Sequence, residues 1–220
     1  MLTEIIYLLV AFVITAILGR LIIPVLKKLK VAQTERTDGP RTHLRKQVTP
    51  TMCGVMMMIT IILLVIACLI TNNELKDQIL PVALASLGFG LVGFIDDFKK
   101  VVLKNTDGLS PKLKLFGQLL ISVAFLVYLM NYTELGTEIK IPFTQNMINL
   151  PTWIYVALMV LVMLGTTNAI NLTDGVDGLA GSVTAIIVGS LAVIAYKAEM
   201  FGISLFGAIV CGACARIFNI

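Results

Sequence analysis

The stretch Trp153-Ile-Tyr-Val-Ala-Leu-Met-Val-Leu-Val-Met-Leu-Gly-Thr-Thr-Asn168-Ala-Ile-Asn171-Leu-Thr-Asp174-Gly-Val-Asp177-Gly-Leu-Ala-Gly181 runs an apolar segment straight into two carboxamides and two carboxylates. A second apolar run begins at once. A helix needs about 20 apolar residues to cross a hydrocarbon core of about 30 Å. Charge kept at the end of such a helix is costly and marks function by default. The stretch therefore predicts two membrane helices with a polar junction between them.

Composition extends this reading to the whole chain. Of 220 residues, 58% are hydrophobic and 14% charged, where a soluble domain carries about 25% charged residues. Mean hydropathy is +0.95. The expected architecture is an all-α polytopic transmembrane bundle, one integral membrane domain over 1–220 with about seven spans. The spans read as Leu2–Leu26, Met52–Ile70, Ile79–Ile95, Leu115–Met130, Trp153–Ile170, Leu179–Tyr196 and Met200–Ala215. Lysines such as Lys112 and Lys114 snorkel from the shorter ones. The first run is too long for a signal-peptide core and carries Glu4, so it reads as a permanent span.

Orientation follows from Lys and Arg in short loops. One loop carries Lys27, Lys28, Lys30, Arg36, Arg41, Arg45 and Lys46; another carries Lys99, Lys100, Lys104, Lys112 and Lys114. The intervening loops hold only Lys76 and Lys140. The N-terminus is thus expected outside, with cytoplasmic loops at 27–51, 96–114 and 171–178. That topology gathers Asp96, Asp97, Asp174 and Asp177 on one face. The net charge of +4 is modest, and no nucleic-acid partner is expected. In the outer loop, Glu138-Ile-Lys-Ile-Pro-Phe143 alternates as a short hairpin would.

Some motifs have plainer readings. Gly88-Phe-Gly90-Leu-Val-Gly93 spells a dinucleotide fingerprint, but it lies inside an apolar helix without the required preceding strand. Close helix packing through small residues explains it better. Cys211-Gly-Ala-Cys214 has the spacing of a redox or metal pair yet no partner pair or nearby His, so its cysteines read as packing residues. His43, the only histidine, is expected in solvent.

Asp96-Asp97 ends a helix where the macrodipole disfavours negative charge. Adjacent carboxylates also repel, and a divalent cation would relieve both costs. The bland alternative is a solvated pair with Lys99 or Lys100. Asn168, Asn171, Asp174 and Asp177 recur at three-residue spacing along one helix face, and Gly175 and Gly178 allow the chain to turn. A helix cap needs one such residue rather than four. Oxygen-only ligands suit Mg²⁺, which takes one or two carboxylates plus substrate phosphates. Thr49-Pro-Thr51, with Lys46 upstream, could hold phosphate. A transporter relay would place such carboxylates near the bilayer midplane rather than at helix ends.

At these motifs the chain resembles the polyprenyl-phosphate N-acetylhexosamine-1-phosphate transferases. The resemblance rests on Asp38-Gly-Pro-Arg-Thr-His-Leu-Arg-Lys46, Thr49-Pro-Thr-Met52, Phe94-Ile-Asp-Asp-Phe-Lys-Lys100, Gly108-Leu-Ser-Pro-Lys-Leu-Lys114 and residues 168–180. Within the family it points to the branch that transfers phospho-N-acetylmuramoyl-pentapeptide from its UDP conjugate to undecaprenyl phosphate, giving lipid I and UMP. It implies a bacterial cytoplasmic-membrane enzyme with Mg²⁺ as cofactor, its active face cytoplasmic, and a homodimer. Asp96, Asp97 and Asp174 would be catalytic, with Asp97 and Asp174 holding metal. Lys46, Thr51, Lys100, Lys104, Lys112, Asn168, Asn171 and Asp177 would bind substrates. A sister enzyme using UDP-N-acetylglucosamine and an inactive remnant that only binds partners are the alternatives.

The resemblance covers roughly the first two thirds of the family fold and thins over 208–220. The family's later Gly-Asp-Thr-Gly-Ser motif and histidine run do not occur in the sequence. The expectation is a truncated copy or one part of a split protein, inefficient alone.

Overall fold

The protein is described here by a computed structural model covering residues 1–28, 52, 54–101, 108–133, 136–141, 144, 146–173 and 178–217. Its helices are α1 (Leu2–Lys28), α2 (Gly54–Thr71), α3 (Lys76–Val101), α4 (Pro111–Tyr132), α5 (Thr152–Thr173), α6 (Leu179–Lys197) and α7 (Phe201–Ile217), with a 3-10 turn at Asn73–Leu75 before α3. Six of them are long and apolar enough to cross a membrane, and α7 contributes a shorter apolar stretch, Phe201–Ala215. The all-α polytopic reading holds, and the protein is a multi-pass membrane protein.

The helix ends follow local chemistry. Ser110 caps α4 by accepting from the Leu113 N–H, and Pro111 occupies the first helical position, where a missing N–H costs nothing. Gly178 caps α6 in the left-handed conformation at φ 76°, which an L side chain would strain. That glycine was expected to break the helix there. Two of the expected loops are narrower than the apolar runs suggested. Helix α3 continues through Asp96 and Asp97 to Val101, and α5 reaches Thr173. The hairpin between α4 and α5 is present: β1 (Glu138–Lys140) pairs antiparallel with β2 (Met147–Asn149), with Ile139 opposite Ile148.

The short helix α7 is the hub. It packs most extensively on α6 and α1, and also meets α2 and α3. Leu205, Phe206, Ala208, Ile209, Ala213 and Cys214 are all buried on it. Lipid tails are as apolar as leucine, so packing and hydrogen bonds, not water exclusion, drive such association. Small residues provide it. A methyl at Gly212 would strike the Leu8 carbonyl of α1 and sit 3.0 Å from Ala11, and one at Gly207 would sit 2.9 Å from Ala192 of α6. The Gly88 motif behaves likewise. A methyl at Gly88 would stand 3.2 Å from Ile121 of α4, and one at Gly90 would stand 3.2 Å from Met58 of α2, while Gly93 has open space. The described cysteines, Cys68, Cys211 and Cys214, are free thiols, in keeping with packing roles.

Helices α4 and α5 stand apart from this hub. Helix α4 packs against α3 and α5, and α5 against α4 and, less, α6. Only Gln118, Ser122 and Leu126 are buried on α4, and nothing is buried on α5. The apolar side chains of α5, such as Leu161 and Leu172, face outward.

Candidate active site

The end of the bundle that carries the C-termini of α3 and α5 and the N-terminus of α4 collects the polar residues. Asp96 is the centre. Although it stands at the end of a membrane helix, it is only 5% exposed. Its Oδ2 accepts from Lys100 Nζ at 2.8 Å, one turn along α3, and from Lys114 Nζ of α4 at 3.5 Å. Its Oδ1 accepts from the Leu109 backbone N–H at 2.8 Å. The bland reading was a solvated pair with Lys99 or Lys100. Lys100 is indeed the partner, but the carboxylate is buried, where a charge must be compensated. Lysines provide that relief here.

The backbone just before α4 makes this possible. Gly108 turns at φ +63°, and a methyl there would lie 2.6 Å from both Asp96 Oδ1 and Lys100 Cε. Only a residue without Cβ lets the chain pass over the carboxylate and aim the next N–H at it.

Helix α4 then reaches across to α5. Lys114 Nζ also donates to Asn171 Oδ1 at 3.3 Å. One turn further along the same face, buried Gln118 accepts from Asn168 Nδ2 at 2.9 Å through its Oε1. Asn168 Nδ2 donates as well to the Leu164 carbonyl of its own helix at 2.8 Å. The two asparagines thus share the face turned to α4, as their spacing suggested.

Three of the expected site residues, Asp96, Lys100 and Asn171, belong to one hydrogen-bonded group, and a fourth, Asn168, pairs with Gln118 one turn further along the same helix pair. Asp97 is half-buried beside Asp96. Lys112 is exposed in the first turn of α4 and, among the described residues, lies outside the group. Lys46, Thr51, Lys104, Asp174 and Asp177 lie outside the described residues, as does the 27–51 loop beyond Lys28. Three contributors were not singled out from sequence. Lys114 was read as a snorkelling lysine, although it is the bridge. Gln118 lies four residues beyond it, which placed both on one helix face. The Leu109 N–H has no signature in residue type at all.

Among the described residues no three carboxylate, imidazole or thiol groups gather as a metal site. The donor chemistry nevertheless suits a hard cation. Carboxylate and carboxamide oxygens are donors of the kind Mg²⁺ takes, and those of Asp96 accept from Lys100, Lys114 and the Leu109 N–H. A separate small pocket at the opposite end, between α1, α6 and α7, is lined mainly by apolar residues such as Ile5, Leu8 and Val193. It holds none of these groups.

Residues 79–220 match the family described as glycosyl transferase family 4, a match that includes 208–220, where the sequence resemblance thinned. The chain is 41% identical over 206 residues to a phospho-N-acetylmuramoyl-pentapeptide-transferase of Halalkalibacterium halodurans, covering 94% of this chain and 63% of that protein. It is 39% identical to the Bacillus subtilis protein of that name, over 93% of this chain and 63% of the relative. For the Acetivibrio thermocellus protein of that name the identity is 44%, over 93% and 61%. The chain spans about three fifths of the length of the curated relatives it matches. A buried aspartate, two lysines and two asparagines from three helices meet within the matched region, and the chain belongs to glycosyl transferase family 4.

Proposed function

We propose that the chain serves transfer of phospho-N-acetylmuramoyl-pentapeptide from its UDP conjugate to undecaprenyl phosphate, at the cytoplasmic face of a bacterial inner membrane. A lipid-phosphate oxygen attacks the β-phosphorus of the UDP conjugate. The bond from that phosphorus to the bridging oxygen breaks, UMP leaves with the electron pair, and lipid I carries the new diphosphate. Such transfer needs positioning and charge neutralisation more than covalent work by the protein.

The observation that carries this reading is the bridge from Asp96 through Lys114 to Asn171, which ties three distant segments into one cationic site. Asp96 holds the ammonium groups of Lys100 and Lys114 in place for phosphate oxygens and so directs the acceptor. Lys112, with Lys46, Lys104 and Thr51 from segments outside the described residues, adds phosphate contacts. Asn168, Asn171 and Asp177 hold the nucleotide. Asp97 and Asp174 would hold Mg²⁺, which when bound neutralises diphosphate charge.

The test uses the purified chain in nanodiscs containing undecaprenyl phosphate, with Mg²⁺. The expected result is saturable binding of UDP-N-acetylmuramoyl-pentapeptide, lost in Asp96→Asn and outcompeting UDP-N-acetylglucosamine. Absence of binding would reject the reading. Preference for UDP-N-acetylglucosamine would transfer it to the sister reaction. Lipid I and UMP measured in the same samples report whether the bound substrates react.

A further inference from the structure

We propose that α4 holds the two carboxamides of α5 in opposite senses, so that Asn168 offers a ligand only an acceptor while Asn171 keeps both of its donors for one, with Gln118 the positioning residue for Asn168. This rests on the nucleotide-sugar reading of the site and goes beyond it.

A carboxamide has one acceptor oxygen and two donor hydrogens, and its two ends look alike until their partners are known. The partners here are unambiguous. The Leu164 carbonyl can only accept, so the Asn168 atom 2.8 Å from it is Nδ2. The second hydrogen of that Nδ2 goes to Gln118 Oε1 at 2.9 Å. Both donors are spent inside the helix pair. The Oδ1 of Asn168 remains, and no described residue donates to it. Gln118 is 2% exposed, so no water competes for its oxygen.

Asn171 is fixed the other way. A lysine ammonium has three donors and no acceptor, so the Asn171 atom 3.3 Å from Lys114 Nζ is Oδ1. Its two Nδ2 hydrogens remain, on an exposed side chain beside a cation. Residues three apart on a helix have Cβ atoms about 5–6 Å apart, so one ligand can meet both. The pair selects a molecule that brings a hydroxyl or ring N–H to Asn168 and an anionic oxygen to Asn171. A nucleoside diphosphate carries both, with the phosphate on the lysine side. A bare diphosphate carries only the second.

Two substitutions separate these roles. Gln118→Leu removes one of the two acceptors that hold the Asn168 amide and leaves the Leu164 carbonyl alone to restrain it, whereas Gln118→Glu keeps an oxygen at that position. Binding of UDP-N-acetylmuramoyl-pentapeptide and of inorganic pyrophosphate is measured on the full chain in nanodiscs with Mg²⁺, alongside thermal melting. Gln118→Leu should weaken the UDP conjugate about tenfold, the scale of one hydrogen bond, and leave pyrophosphate affinity unchanged. Gln118→Glu should restore the UDP conjugate to within about twofold. Equal loss of both ligands in Gln118→Leu, or no rescue by Gln118→Glu, overturns the proposal while the transferase reading stands. No binding of the UDP conjugate by the unsubstituted chain overturns that reading, and this proposal with it.

Discussion

The hub around α7 and the α4–α5 arm hold together by different physics. In the hub, small residues let backbones approach until packing is continuous, as at Gly212 against Leu8 and Gly207 against Ala192. The arm buries few whole side chains: α5 buries none completely. Further along, α4 meets α3 through close small-residue packing, Gly88 against Ile121 and Gly117 against Val92, but at the site end its ties to α3 and α5 are polar, Lys114 to Asp96 and Asn171, and Gln118 to Asn168. The lesson is that the candidate site sits where the bundle joins by charge and carboxamide. There, hydrogen bonds that fix the arm are the same ones that orient ligand-binding groups. Damage to the hub should read out as stability, and damage to the junction as binding.

The largest break in that comparison is Gly212→Val. The side chain would have to displace the Leu8 carbonyl backbone of α1. Overpacking costs about 1–3 kcal/mol and more where backbone must move. The expected outcome is a steep fall in melting temperature of the detergent-solubilised protein. A melting temperature within a degree or two of the unsubstituted chain would mean that α1 and α7 are not held by this crossing.

Next in size is Lys114→Met, which keeps length and apolar stem but removes the bridge. Hydrogen bonds to charged groups contribute about 1.5–3 kcal/mol, so the UDP conjugate should bind at least tenfold more weakly. Melting of the hub should change little, because the lysine touches only the junction. Gly108→Ala tests the same place through the backbone. An L residue at φ +63° costs about 1–2 kcal/mol, and its methyl would press on Asp96 and Lys100. Donor binding should fall severalfold, less than in Lys114→Met. If Gly108→Ala left binding untouched, the Leu109 N–H would not be orienting Asp96.

These outcomes bear on what could be read without coordinates. Span positions were legible because hydropathy over about 20 residues is a long, redundant signal. The hairpin at Glu138 and the packing role of Gly88 and Gly90 were legible too, one from alternation and one from the absence of a strand. The rank of α7 was not: a short, small-residue helix reads as an ordinary span, and its central place depends on which neighbours close around it. At the site, Asp96, Lys100, Asn168 and Asn171 announced themselves as polar groups at apolar ends. Lys114 did not, because a lysine at a membrane edge has a routine explanation in snorkelling. Gln118 escaped notice because a single amide inside an apolar helix carries no periodic signal. Its partner lies 50 residues away. The Leu109 N–H is backbone, which only coordinates reveal.

The smallest expected effect comes from the one buried polar contact in the hub that, among the described residues, joins α1 to α2. Thr15 and Thr60 hydroxyls lie 3.0 Å apart, both fully buried. Thr60 also lies 3.0 Å from the Met56 carbonyl, to which it donates, so its proton is committed there and Thr15 must be the donor of the pair. The two substitutions are therefore unequal. Thr15→Val leaves Thr60 with its carbonyl partner, whereas Thr60→Val leaves the Thr15 hydroxyl without its interhelical acceptor, and Thr60→Val should be the more damaging. Interhelical hydrogen bonds in membranes average about 0.6 kcal/mol, and replacing both partners by apolar groups of the same shape is nearly neutral. A double-mutant cycle on thermal or denaturant unfolding should return a coupling of about 0.6 kcal/mol, with donor affinity unchanged in all three variants. A change in donor affinity would show that the hub reaches the site through α2 or α3, and that the division between a packed body and a polar junction is less sharp than the geometry implies.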